Sequence, residues 1–153
     1  MASDKENPFA PILLMVDSSE TAVRAARLAV DLAARLHTTI YAVTVVDTET
    51  LTQLLKGRIL VQEEVEEFEH DLAQSSRRYL RMAARAAEEA GVELEEVQLK
   101  GGWHQTILAQ QRELGAGLLV LGGFTYSMIK RDLVAKAKQL IIDEIPCPVL
   151  IVR

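Results

Sequence analysis

The sequence has a single cysteine, Cys147, and no excess of basic residues. One cysteine excludes an intrachain disulfide and is consistent with a reducing compartment. Its place between two prolines, ahead of an apolar run, indicates a small buried side chain rather than a reactive thiol. The formal net charge is -5. Proteins that bind duplex nucleic acid are usually basic, so we expect no nucleic-acid partner.

Long apolar runs are also missing. No run approaches the eighteen or so residues that a membrane-spanning helix needs, so we expect no membrane association. The first residues, Met1 to Asn7, contain no apolar signal region. We therefore expect a flexible N-terminal tail over residues 1–10, a single domain over residues 11–153, and a cytoplasmic location.

Motifs that carry chemistry are absent as well. The three histidines, His37, His70 and His104, are far apart, and the sequence has no HxxxH or CxxC spacing, so no metal site is expected. It also has no Gly-x-Ser-x-Gly elbow, Walker A loop or Gly-x-Gly-x-x-Gly turn. This favours a protein without enzymatic activity. The question stays open, because catalytic side chains can converge in three dimensions without a sequence motif.

The segments that are present alternate between two kinds. Short apolar or alternating runs are typical of strands, and the segments between them have apolar residues at helical spacing. The strand-like runs are 11–16, 38–46, 92–99, 118–121 and 149–152. This alternation predicts an α/β fold with a doubly wound, five-stranded parallel sheet and helices on both faces.

One helix is predicted to be unusually long. An apolar stripe from about residue 58 to residue 90 indicates a helix of about 45 Å. A sheet of short strands cannot cover this length, so we expect the first half to project or bend, or the helix to break near Glu63 and Glu64. The carboxylates from Glu63 to Asp71 are interpreted as a solvated face rather than a metal site. Residues 48–57 are predicted to be irregular, with one turn of helix.

The most specific pattern lies between residues 118 and 152. An apolar strand ends at Gly122-Gly123, a basic turn and a helix follow, and Pro146-Cys147-Pro148 leads into the last strand. This order resembles the C-terminal signature of the universal stress protein family. Nucleotide-binding members of that family have three glycines in the motif. Here the three places hold Gly122, Thr125 and the pair Ala135-Lys136.

The resemblance implies the strand order 3-2-1-4-5 and a cleft between strands 1 and 4. The end of strand 1 resembles the place where family members hold an aspartate against adenine or ribose, which here is Asp17. The end of strand 2 resembles the place where backbone faces the base, which here is Val45. A purely structural interpretation also stands, because Asp17 and Asp47 could simply cap helices or turns.

The candidate nucleotide site therefore combines residues from several elements. Its members are Asp17, Val45, Gly122, Gly123, Thr125, Lys130, Ala135 and Lys136. The basic residues Lys130, Arg131, Lys136 and Lys138 could attract a phosphate at the start of the last helix, or could form a solvated face. The side chains of Thr125, Ala135 and Lys136 stand where the family's loop needs small residues, so we expect ATP binding to be weak or absent.

Three hypotheses follow from the resemblance. The first is a non-catalytic stress-response or regulatory module that binds an unidentified protein partner. It would form a homodimer through the apolar edge strand Val149, Leu150, Ile151 and Val152. The second is an ATP- or nucleotide-binding member with a divergent phosphate loop. The third is an enzyme that uses the same cleft for a phosphorylated or adenylated metabolite.

Overall fold

A computed structural model of the protein describes residues 7–124 and 133–153. Its centre is a five-stranded parallel sheet with the order β3-β2-β1-β4-β5, as predicted. The strands are β1 (Ile12–Met15), β2 (Ile40–Asp47), β3 (Leu94–Gly101), β4 (Leu118–Gly122) and β5 (Val149–Val152). The order reverses between β1 and β4, which leaves a crevice at the carboxyl ends of these two strands.

Helices cover both faces of the sheet. They are α1 (Glu20–Leu36), α2 (Thr48–Lys56), α3 (Gln62–Glu89), α4 (Trp103–Leu114) and α5 (Leu133–Glu144). Alternate residues of β1 point to opposite faces. Ile12 and Leu14 pack in the core beneath α1 and α3, whereas Leu13 and Met15 pack in the core beneath α4 and α5. The doubly wound architecture predicted from the sequence is confirmed.

The prediction of one helix from residue 58 to residue 90 is wrong at its beginning. The chain forms a separate helix, α2, where an irregular segment was expected, and α3 then runs without interruption from Gln62 to Glu89. The break expected near Glu63 and Glu64 lies instead just before α3. There Arg58 has a left-handed backbone (φ 58°), and the Glu64 side chain accepts a hydrogen bond from the Val61 N–H at 3.2 Å. This side-chain cap starts the helix at that point.

The N-terminal segment is described from residue 7. The Asn7 side chain donates a hydrogen bond to the Leu36 carbonyl at 3.0 Å, and Ala10 is buried. Residues 7–10 thus contact the domain. The flexible tail predicted for residues 1–10 stays a prediction for residues 1–6, which lie outside the described residues.

Candidate functional site

The end of β1 holds a buried carboxylate. Asp17 is only 7% exposed, and its Oδ1 accepts hydrogen bonds from the Ser19 N–H at 2.9 Å and from the Ser19 hydroxyl. Ser19 is in turn the N-cap of α1, since its Oγ accepts a hydrogen bond from the Ala22 N–H at 3.1 Å. Asp17 therefore holds the residue that begins α1, which is the structural role considered for it.

The other oxygen of Asp17 faces a lysine. The Lys138 side chain has no exposed surface, and its Nζ lies 2.7 Å from Asp17 Oδ2. Nζ also donates a hydrogen bond to the Gly122 carbonyl at 2.9 Å and lies 3.5 Å from the Gly123 carbonyl oxygen. The contact with Oδ2 is an ion pair that lacks the alignment of a hydrogen bond, whereas the contact with Gly122 is well aligned. One ammonium thus joins the ends of β1 and β4.

The burial of Lys138 rules out the solvated face that was one of the two roles considered for it. Lys138 lies on the inner side of α5, where a charge needs a partner to be stable. The spacing of residues in the sequence indicates that Lys138 lies on this inner side. Val134, Lys138, Ile141 and Ile145 follow one another at steps of four, three and four residues, and Ile141 and Ile145 are buried. Leu140, on the other side of the helix, is 44% exposed.

The two glycines at the end of β4 have a packing role. A Cβ added at Gly122 would lie 2.4 Å from Thr21 Oγ1 and 2.6 Å from the Ala22 nitrogen. Only glycine lets the end of β4 approach the first turn of α1 this closely. The Thr21 hydroxyl donates a hydrogen bond to the Gly123 carbonyl at 3.0 Å. This geometry accounts for a glycine at position 122 without a phosphate.

A cavity of about 270 Å³ opens beside Asp17 at the carboxyl ends of the strands. It brings Asp17 and Val45 together. The resemblance implied a cleft between strands 1 and 4, but no residue of β4 is among the described lining. Its lining contains Asp17, Ser18, Thr44, Val45, Asp47, Thr50, Leu51, Leu72, Ser75, Ser76, Tyr79, Trp103 and Val134. Asp47 is the N-cap of α2: its Oδ1 accepts from the Thr50 N–H at 3.0 Å and its Oδ2 from the Thr50 hydroxyl at 2.8 Å.

The remaining candidates lie elsewhere or outside the described residues. Lys136 is exposed and lines a neighbouring depression of about 220 Å³ together with Asp47, Glu49 and His104. Ala135 is half-buried in α5. Thr125 and Lys130 fall in the segment 125–132, which the structure does not describe. Of the candidate residues that the structure describes, Asp17 and Val45 line the cavity, whereas Gly122 and Gly123 pack beside α1 outside its lining. Lys138 reaches Asp17 from α5.

Comparison with known proteins decides the family. The model of the universal stress protein family matches residues 8–153. The chain belongs to the universal stress protein family. A universal stress protein of Methanocaldococcus jannaschii is 26% identical over 149 residues, which cover 97% of this chain and 84% of the relative.

Solved universal stress protein structures share the fold. One, determined in complex with cAMP, superposes with a TM-score of 0.64 at 20% identity, covering 93% of this chain and 94% of the other. The universal stress protein of Archaeoglobus fulgidus in complex with dAMP superposes with a TM-score of 0.63 at 23% identity, covering 94% of this chain and 97% of the other. At these identities the likeness establishes the architecture.

Across residues 7–124 and 133–153, no three His, Cys, Asp or Glu side chains come together as metal ligands. Within the same ranges, no helix combines the length and the apolar character required to cross a membrane. Burial raises the pKa of the Cys147 thiol, and backbone contacts at Leu119 and at Cys147 itself offset part of this effect. The thiol is therefore protonated at neutral pH.

Proposed function

We propose that this universal stress protein is a non-catalytic regulatory module with weak or no ATP binding. One observation carries the proposal: the carboxylate of Asp17, the side chain that the family resemblance places against adenine or ribose, is engaged within the chain itself. Its Oδ1 accepts from Ser19 and its Oδ2 is paired with Lys138.

A nucleotide would have to compete with these contacts. Asp17 is almost inaccessible, and Lys138 cannot turn away to solvent because its ammonium is fully buried and also bonded to the Gly122 carbonyl. Moving the ammonium would leave a charge without a partner in the protein interior, which is costly. The ion pair therefore opposes the ligand contact that Asp17 would otherwise offer.

The phosphate side of the cleft supports the same conclusion. The positions of the family's Gly-Ser pair hold Ala135, which is half-buried, and Lys136, which lines a different depression from the one that Asp17 borders. The third position of the motif, Thr125, adds a β-branched side chain where the family has glycine.

Nucleotide retained through purification tests the proposal. Protein purified without added nucleotide is denatured, and the released small molecules are quantified by mass spectrometry against a universal stress protein that keeps all three motif glycines. We expect far less than one nucleotide per chain here and a substantial fraction in the control. A stoichiometric nucleotide in this chain would refute the proposal, and its turnover on incubation would point to the enzyme hypothesis.

A second candidate function is nucleotide binding through a divergent loop. The cavity of about 270 Å³ favours it, because Val45, Asp47 and several hydroxyl groups line a space beside the strand ends. The relatives crystallised with cAMP and dAMP also favour it. The triple change Thr125→Gly, Ala135→Gly, Lys136→Ser separates the two. Under the first proposal it increases ATP affinity, whereas under the second the parent chain already binds as tightly.

We further propose a cytoplasmic homodimer that forms through β5. This strand lies at the edge of the sheet, and Ile151 is 43% exposed. An exposed apolar edge is usually protected by pairing. Ile151→Lys should yield monomer or insoluble protein in sedimentation, whereas Leu140→Lys, at an equally exposed apolar residue of α5, should leave the dimer intact. A dimer that survives Ile151→Lys would exclude this interface.

A further inference from the structure

Helix α3 has an outer surface that no part of residues 7–124 and 133–153 covers. Four large apolar side chains on it are exposed: Val61 at its N-cap (56%), Phe68 (49%), Leu72 (40%) and Met82 (48%). At about 100° per residue these four fall within an arc of about 80°. They form an apolar strip from the start of the helix to Met82, beside the buried face of Val65, Leu80, Ala83 and Ala87.

Charged side chains border this strip in a regular order. Glu64, Asp71, Arg78 and Arg85 are all exposed and follow one another at intervals of seven residues. Because seven residues make almost two full turns, the four lie in one row beside the apolar strip. The first two are acidic and the last two are basic, so the sign of the row changes at the middle of the helix.

These charges are not neutralised within the described part of the chain. None of the four takes part in an ion pair there. For Glu64, Asp71 and Arg78, the helix itself offers no opposite charge three or four residues away. By contrast, Glu69 and Arg81, on the side of α3 that faces β3, are paired with Lys100 and Glu96.

We infer that α3 packs against α3 of a second copy of this chain, in antiparallel orientation. If the midpoint between Gln74 and Ser75 lies on the twofold axis, Glu64 of one copy faces Arg85 of the other, and Asp71 faces Arg78. The same register places Phe68 within one residue of Met82. A parallel pairing would set like charges against each other, which is unfavourable, so the charge order selects the antiparallel one.

The surface at the axis suits this contact. Asp71, Gln74 and Arg78 line a depression of about 360 Å³ at the middle of α3. Further along, Tyr79 and Met82 line a groove of about 250 Å³ with Val23 and Ala26 of α1, which extends the apolar strip. A twofold contact uses the same patch on both subunits, so a charge row whose sign changes at the axis complements itself.

The size of the contact sets the expected behaviour. A strip about 32 Å long and about 10 Å wide is small beside the roughly 800 Å² per partner of a standard interface. We therefore expect association that depends on protein concentration and weakens in high salt. This interface does not involve β5, but it adjoins the candidate nucleotide cavity, because Leu72 of the strip and Ser75 beside the axis also line that cavity. If both interfaces form, the particle contains twice as many chains as either interface alone would give.

Charge exchange tests the inference. Two variants are made, Glu64→Arg/Asp71→Arg and Arg78→Glu/Arg85→Glu, and their masses are measured by sedimentation velocity over a range of concentrations. Each variant alone should show half the mass of the parent, because it sets like charges opposite each other. An equimolar mixture of the two should recover the parent mass, since each then supplies the charges that the other lacks.

The controls make the result decisive. Glu66→Arg/Glu88→Arg alters the charge by the same amount on the opposite side of α3 and should keep the parent mass. Circular dichroism verifies that each variant is folded, and recovery in the mixture cannot come from an unfolded chain. If neither variant has a lower mass than the parent, the inference is wrong. It is also wrong if the mixture of the two variants stays at half the parent mass.

Discussion

Two aspartates end neighbouring strands of the sheet, and the fold uses them differently. Asp17 at the end of β1 is buried and paired with the ammonium of Lys138, which reaches it from α5. Asp47 at the end of β2 is half-buried, caps α2 through Thr50, and borders an open cavity. The same residue type at the same edge thus borders one cavity twice, once as a buried member of an ion pair and once as a half-buried helix cap.

The difference shows that position alone does not decide the role of a strand-end carboxylate. Both aspartates accept hydrogen bonds from residues that follow them closely in sequence, as expected for helix starts. Among the described residues, Asp17 receives a charge from a residue distant in sequence and Asp47 does not. That partner removes one carboxylate oxygen from the reach of a ligand, whereas the Asp47 carboxylate stays at the cavity wall.

Removal of the buried charge of Lys138 should reduce the free energy of unfolding more than the other changes considered below. Lys138→Met leaves the Asp17 carboxylate without its counterion, and breaking one partner of a buried pair typically costs about 3–5 kcal/mol. Denaturant unfolding should show a lower transition midpoint by a corresponding amount. The double variant Asp17→Asn/Lys138→Met removes both charges and should regain most of the loss, because the introduced amide keeps an oxygen that can accept from Ser19.

The comparison between single and double variants is the control. If Lys138→Met is as stable as the parent, the ammonium is not compensating a buried charge. If the double variant is no more stable than the single one, the loss comes from altered packing of α5 rather than from the ion pair.

Removal of the Asp47 carboxylate should reduce the free energy of unfolding by a smaller amount. Asp47→Ala removes an N-cap from a short helix, and such caps contribute about 1 kcal/mol. The half-buried side chain leaves no charge stranded when it is deleted. Denaturant unfolding under the same conditions should rank this variant between the parent and Lys138→Met, and the reverse ranking would contradict the contrast between the two strand ends.

Cys147 should give the smallest effect, because burial and backbone contacts, rather than a charged partner, perturb this half-buried thiol. Burial raises the pKa of its thiol above that in the unfolded chain. As the pH rises, the unfolded chain loses this proton first, so the contribution to stability is complete below the unfolded pKa and declines above it. Alkylation by iodoacetamide at about pH 8, near the ordinary thiol pKa, should be slower in the native protein than in denaturant; equal rates would contradict the raised pKa.

Much of the fold could be predicted from local sequence. Continuous apolar runs such as Leu118–Leu121 need burial on both faces, and this requirement led directly to a parallel sheet covered by helices. The cap of α1 is likewise local, because Ser19 accepts its hydrogen bond from a residue three positions on. The start of α3 was missed, since an apolar stripe continues across the turn before Val61, where a single left-handed residue, Arg58, interrupts the helix.

The site could be predicted only in part. The proximity of Asp17 and Val45 follows from the end of the sheet at which parallel strands meet. The burial of Lys138 does not follow, because a lysine on a helix is ordinarily solvated. Its ion pair joins residues more than a hundred positions apart. The spacing from Lys138 to Ile141 and Ile145 indicates that the lysine lies on the buried side of α5. It is a weak indication, because a charged residue is not expected on that side.

Titration of the parent chain with ATP in a calorimeter tests most directly whether the ion pair and the altered loop close this site. The account predicts no saturable heat in the micromolar range, because Asp17 is held by Ser19 and Lys138 and the motif lacks its second and third glycines. Saturable binding with a micromolar or lower Kd would contradict it, and would show that a nucleotide is held without the free carboxylate of Asp17.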